Sequence, residues 1–136
     1  MATYTKFQQF VEDLAHGVHN FDSDTIKVAL SSAGNAPSAS ADAVLGDITT
    51  IAAPAVNSVT LTKSSSGQTS GTYKYIPNDL TMTASGSVGP FRYVIIYNDT
   101  AANDPLICFF DYGSEVMLAS GDTFKLDFGT ELFSLA

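Results

Sequence analysis

His16 and His19 are the only histidines of the chain and lie three positions apart. Near a helix end that spacing sets two imidazoles on one side, the arrangement a metal site starts from. Zinc needs a tetrahedral set of nitrogen and sulfur ligands. No Cys-x-x-Cys or His-x-Glu accompanies the pair, and the lone Cys108 sits inside an apolar run. The histidines are therefore expected at a helix C-terminus, where imidazoles meet the negative end of the dipole and hydrogen-bond the last carbonyls. Asn98, Asp99, Asp104 and Asp111 offer oxygens, but calcium takes about six to eight of them and the EF-hand spacing is missing. Asn and Asp at such positions are expected as turn residues that cap nearby backbone groups. A nucleophile would need a base and an oxyanion hole, and no Gly-x-Ser-x-Gly elbow is present. Gly86, Ser87, Val88 and Gly89 precede a strand-like run, whereas a dinucleotide loop must open a helix. Asn98, Asp99 and Thr100 match a glycosylation sequon without a secretory signal to give it meaning. No catalytic residue, no metal site and no cofactor is expected.

Tyr73, Tyr75, Tyr93, Tyr97 and Tyr112 raise a different chemistry, because aromatic faces stack on sugars. There is no Trp, and Tyr is a normal strand residue with an apolar body and a polar tip. A glycan-binding module stays an alternative. Cys108 has no partner for an intramolecular disulfide and is expected to pack as a small hydrophobe.

Composition bounds the classes. The 136 residues suit a single domain, residues 1–136. Apolar residues at 45% against 15% charged argue for a packed core. No apolar run approaches the roughly 20 residues of a membrane helix, so no membrane partner is expected. Six Lys and Arg against fourteen Asp and Glu leave a net charge of −8. That balance opposes nucleic-acid binding, which rests on Lys and Arg. It suits a solvent-facing protein and complements a more basic partner. The N-terminal stretch, with Lys6 followed by Glu12 and Asp13, lacks the order of a secretory signal, so synthesis in the cytoplasm is expected.

The elements that would carry these residues follow from periodicity. Phe7, Phe10, Val11, Leu14, Ala15 and Val18 fall on one stripe of a helix over residues 4–18, the helical part of an N-terminal segment 1–20. Thr5 and Gln8 form a capping-box pattern, and Gly17 is placed to end the helix near residue 16. Burying Phe7, Phe10, Val11 and Leu14 would contribute at most about 6–12 kcal/mol, so the stripe must dock on this protein's own sheet or on a partner. Residues 21–136 are expected as strands. Ile26, Val28 and Leu30 alternate as one face of a strand over 25–30. Residues 31–44 are small and polar, a loop or arm whose order depends on a neighbour. Further strands are predicted at 47–51, 59–63, 72–76 and 80–84, with a flexible tip at 63–71 and a hairpin turn at Pro77, Asn78 and Asp79. Two β-branched and aromatic runs, FRYVIIY (91–97) and LICFF (106–110), flank a polar turn and predict a buried hairpin. A last hairpin joins 116–119 to 123–128 across Ser120, Gly121 and Asp122, and residues 132–135 end in strand. Eight to ten short strands after one helix indicate an all-β fold, an antiparallel β-sandwich or jelly-roll-like domain with one N-terminal amphipathic helix.

Two stretches, TYTKFQQFVEDLAHGVHNFDSDTIKVAL (residues 3–30) and FRYVIIYNDTAANDPLICFFDYGSEVMLASGDTFKLDF (residues 91–128), resemble small structural proteins encoded beside the major capsid protein in tailed bacteriophages. The resemblance implies a virion protein, of the capsid decoration or cement type, that sits on the outer face of the head and holds major capsid subunits together as a trimer. A tail, tail-tip or head-fibre component is the alternative within virions. Candidate partner-interface residues are Phe7, Phe10 and Leu14 on the helix, and Asn35 and Pro37 on the 34–44 arm.

Overall fold

The two runs around the polar turn pair as expected, and their burial organises the rest of the chain. The structure, a computed structural model, describes residues 2–136. In chain order the elements are β1 (Thr3–Lys6), α1 (Gln8–Ala15), β2 (Ile26–Ser31), β3 (Thr60–Leu61), β4 (Lys63–Thr69), β5 (Thr72–Pro77), β6 (Leu80–Thr83), β7 (Val88–Asn98), β8 (Leu106–Leu118), β9 (Thr123–Leu126) and β10 (Phe133–Leu135). Three antiparallel sheets result, ordered β1-β8-β7-β2-β3, β10-β5-β4 and β6-β9. The fold is all-β and sandwich-like with one α-helix.

Successive residues of the β7–β8 hairpin point to opposite faces. Val94 and Ile96 stand opposite Phe110 and Cys108 on one face, while Ile95 stands opposite Phe109, on the same side as Tyr93, on the other. All are buried except Phe110, which is half-buried. The face of Val94 and Phe110 forms the sandwich interior. There Phe110 meets Phe128, and farther along Phe10, Phe21, Tyr75 and Phe133 form an aromatic cluster with centroid separations of 4.8–6.0 Å. The buried residues form one continuous cluster.

The other face is covered by residues 32–51, the segment expected as a free arm. Ala33 N–H donates to Glu115 (3.3 Å), Gln8 N–H to the Ala39 carbonyl (2.9 Å), Leu106 N–H to Ala43 (3.0 Å), and Ile51 N–H to Leu30 (2.8 Å). These bonds pin the segment from β8 to α1, to the hairpin turn and back to β2. Its order comes from this protein's own sheet. The expected strand at 47–51 is absent: residues 45–47 make a 3-10 turn in which the Asp47 carboxylate accepts the Ala43 and Val44 amides at 2.9 and 3.1 Å.

The leading helix is shorter than its stripe. Residues 3–6 pair with residues 108–111 of β8 as an edge strand, because β8 would otherwise present an open ladder and Thr3, Tyr4 and Thr5 suit a strand. The capping box of Thr5 and Gln8 does not form; Phe7 is the N-cap without a side-chain cap, and the orphan Gln8 amide is satisfied by Ala39. The C-terminus follows expectation: Gly17 has φ 73°, Val18 N–H donates to Asp13 O (2.9 Å) and Gly17 N–H to Leu14 O (3.3 Å), a Schellman motif. Phe7 continues β1 onto the outer face, its ring 5.2 Å from Phe109, and one helical turn later Phe10 enters the interior cluster. Val11 is 54% exposed, so the burial contribution of this segment rests on Phe7 and Phe10, about 3–6 kcal/mol together.

Three pairings differ from the sequence expectation. Residues 63–69 are strand β4 on β5, joined by a turn in which Ser70 and Gly71 have positive φ. The expected turn at Pro77, Asn78 and Asp79 does not form: Pro77 still pairs in β5, Asn78 N–H donates to the Thr62 carbonyl (2.8 Å), and the chain runs on without a turn into β6, which enters a different sheet. Likewise β9 pairs with β6 and not with β8. Turn residues bend the chain locally, while pairing is decided by which apolar faces meet.

Two substitutions test this packing. Phe7→Ala should lower unfolding free energy by about 3–5 kcal/mol in urea melts, whereas exposed Val11→Ala should change it by less than about 0.5 kcal/mol; equal effects would place the helix elsewhere. Gly89 has φ 114°, and an added Cβ would stand 2.5 Å from the Val116 carbonyl oxygen. Gly89→Ala should therefore cost about 1–3 kcal/mol by the same assay, and an unchanged midpoint would contradict the close approach.

Candidate functional site

His16 and His19 do not share a site. His16, the helix C-cap, is exposed with Glu12 at 3.9 Å. His19 is 7% exposed, 5.3 and 5.4 Å from the Phe10 and Phe21 rings. Its polar neighbour comes from the far end of β7. Asn98 Oδ1 accepts the Thr100 and Ala101 amides (2.9 and 3.2 Å), which fixes the amide orientation and aims Nδ2 at Asp24 Oδ2 (2.7 Å) and His19 Nδ1 (3.0 Å). Nδ1 thus accepts, and the proton of the neutral ring lies on Nε2, a solvent-excluded atom with no hydrogen-bond partner. Burial lowers the His19 pKa from its ordinary 6.5, outweighing the upward pull of Asp13 and Asp24. This constellation ties the helix exit to the hairpin turn, and His19 also borders an open surface hollow of about 490 Å³ with Phe21 and Tyr73.

The remaining polar candidates are dispersed. Asp99 pairs with Lys27 (3.0 Å), and Asp104 lies in the β7–β8 turn. Asp111 forms a two-pronged pair with Arg92 (2.8 and 3.1 Å), which holds its carboxyl below the usual range. Among the described residues no group of three His, Cys, Asp or Glu is placed to hold a metal ion. Burial pushes the Cys108 thiol far above its ordinary pKa, so it carries no thiolate at neutral pH. The tyrosines form no single exposed face: Tyr73 and Tyr75 of β5 both pack on Phe133, Tyr73 also binding Ser66, Tyr93 and Tyr97 are buried, and Tyr112 alone of the five is exposed.

Of the candidate interface residues, Phe7 (0% exposed) and Phe10 (2%) are core residues, and Phe10 also lines the floor of a surface hollow between α1 and β10. Asn35 is exposed in the 3-10 turn Ala33–Asn35, its Nδ2 donating to Ser32 Oγ (3.1 Å), and Pro37 is half-buried in the sheet cover. Leu14 is half-buried at the rim of an apolar hollow of about 320 Å³ between α1 and β10, lined also by Lys6, Val11 and Leu135. An adjoining hollow of about 520 Å³ shares Lys6, Phe133 and Ser134 with it and extends to Tyr4 and Phe128. Sequence reasoning missed Lys6 and Leu135. Lys6 was visible only as a charge, and Leu135 as one more strand residue. Five of the six Lys and Arg residues have a carboxylate within 4.0 Å; Lys6, among the described residues, has none.

Comparison with known proteins gives no match to a family model, to a curated protein or to a solved structure. Among the described residues no helix is long and apolar enough to cross a membrane.

The buried imidazole makes stability pH-dependent. Unfolded chains take up the His proton near pH 6.5, the folded protein only at lower pH. Between those values the unfolded state binds more protons, so stability is full above about pH 6.5 and falls as the pH drops below it. Urea midpoints from pH 7.5 to 5 should show this loss, His19→Gln should flatten it, and exposed His16→Gln should leave it in place. A loss that survives His19→Gln would assign it to other groups.

Proposed function

We propose that this chain is a structural, non-enzymatic protein of a tailed-phage virion, a decoration or cement protein that binds the outer face of the head and bridges neighbouring major capsid subunits. The observation that carries the reading is the resemblance of residues 3–30 and 91–128 to the small proteins encoded beside the major capsid protein. The chemistry of the chain is compatible with it. Asp111 is paired with Arg92 and the buried Asn98 with His19, while an apolar hollow with an unpaired lysine lies open at the surface. Such a protein acts by attachment. As a trimer it multiplies modest contacts, because the second and third bind at high effective concentration once the first is made. Its acidity keeps it soluble at the high local density of a shell.

Light scattering of the purified protein should give a mass near three times 14.3 kDa. Mixed with expanded heads stripped of their decoration, it should co-sediment at a copy number set by capsomer geometry and raise the temperature at which the heads rupture. A monomer that leaves head stability unchanged would overturn the assignment, and recovery in few copies with purified tails would move it to the tail.

A further inference from the structure

Between α1, β1 and β10 the molecule leaves an open seam. β1 is the last strand of the five-stranded sheet and β10 the last of the three-stranded sheet. Each therefore presents a row of backbone N–H and C=O groups with no ladder partner on its outer side. The two edges border one trough, since Lys6 of β1 and Phe133 and Ser134 of β10 line both the 320 Å³ hollow toward α1 and the 520 Å³ hollow toward Phe128. Natural edges are usually blunted by charge, proline, a bulge or a covering element. β10 carries no charge or proline, and its own Leu135 (53% exposed) and Val11 of α1 (54%) keep apolar side chains in water. Two charges line the trough: Lys6, at the α1 end and without a carboxylate partner although the chain carries fourteen Asp and Glu, and Glu131, in the hollow toward Phe128 and 4.0 Å from Lys74.

We propose that this seam binds an extended peptide strand of a partner protein, apolar at alternate positions and bearing one carboxylate that meets Lys6. Adding a strand satisfies backbone groups that water otherwise serves, while alternate side chains fill the two hollows; main-chain pairing supplies affinity and the pockets supply selectivity. The four residues of β1 offer about 13 Å of edge, enough for a segment of similar length. The carboxylate fixes register, because Lys6 attracts it at the α1 end while Glu131 repels it from the hollow toward Phe128. This binding mode is independent of the virion setting.

The test is titration of the full-length, nitrogen-15-labelled protein with a capped Thr-Val-Glu-Val-Thr-Val-Thr heptapeptide and its Gln analogue, read by amide chemical shifts. Saturable shifts should be confined to β1, β10 and α1, and the Glu peptide should bind about fivefold tighter than the Gln peptide. Lys6→Gln should erase that preference, and Leu135→Asp should weaken both peptides about tenfold or more. Both side chains are exposed, so the variant spectra should keep the native pattern. Absence of saturable shifts at millimolar peptide, shifts centred elsewhere, or a Glu preference that survives Lys6→Gln would each overturn the proposal. Concentration-dependent self-association without peptide, abolished by Leu135→Asp, would assign the seam to a second copy of this chain and would overturn it equally.

Discussion

The constraint on which this structure depends is a β-hairpin whose strands are apolar on both faces. A sheet with one wet face alternates apolar and polar residues. Residues 93–97 of β7 and 106–109 of β8 do not alternate, and all of them are buried. Two covers are therefore required. The smaller sheets supply one, through Phe128, Tyr75 and Phe133. Residues 32–51, poor in large apolar side chains, supply the other by hydrogen-bonding along their length to β8, α1 and β2. The leading segment serves both layers, because β1 extends the sheet at its β8 edge, Phe7 continues onto the outer face and Phe10 turns into the interior.

A polar knot closes one end of this packing. Asn98 is fully buried at the end of β7, where burial without hydrogen bonds would cost several kcal/mol. Its amide is saturated by two backbone amides, Asp24 and His19, so the hairpin turn, the entry to β2 and the exit of α1 are fixed to one another. The unpartnered Nε2 of His19 is the residual cost, and it makes the knot sensitive to acid. The same residues that would suggest chemistry in isolation are thus consumed in holding three segments together.

What is left outside the core is an acidic surface and an apolar patch. Five of the six Lys and Arg residues pair with a carboxylate, and the charge left unpaired is acidic apart from Lys6. Apolar groups remain in water beside α1 and β10, where two sheets stop without meeting.

Much of the architecture was legible because it is written in local pattern. The β-branched and aromatic runs of β7 and β8, the alternation of β2, the turn residues around Gly121 and the glycine that ends α1 each act within a few residues of themselves, whereas Pro77 to Asp79, turn-forming by type, run extended between two sheets. The stripe of α1 was legible but misleading. Its spacing is helical from Phe7 onward, yet residues 3–6 are drawn into β1 by the open ladder of β8, a partner about a hundred residues away. Residues 63–69 looked like a flexible tip because Ser and Gly have weak strand propensity, and pairing with β5 overrides that weakness. The interface candidates Phe7 and Phe10 were adhesive in sequence and are core in the fold, for an apolar stripe does not state what covers it. By itself the sequence determined the class of the fold, its strongest strands and its turns, since these follow from short-range propensity and periodicity. Tertiary structure alone decided that β9 joins β6, that residues 32–51 roof the sheet, that His19 meets Asn98 and that two edges remain open, because each depends on which distant surfaces bury the most apolar area while leaving the fewest polar groups unpaired.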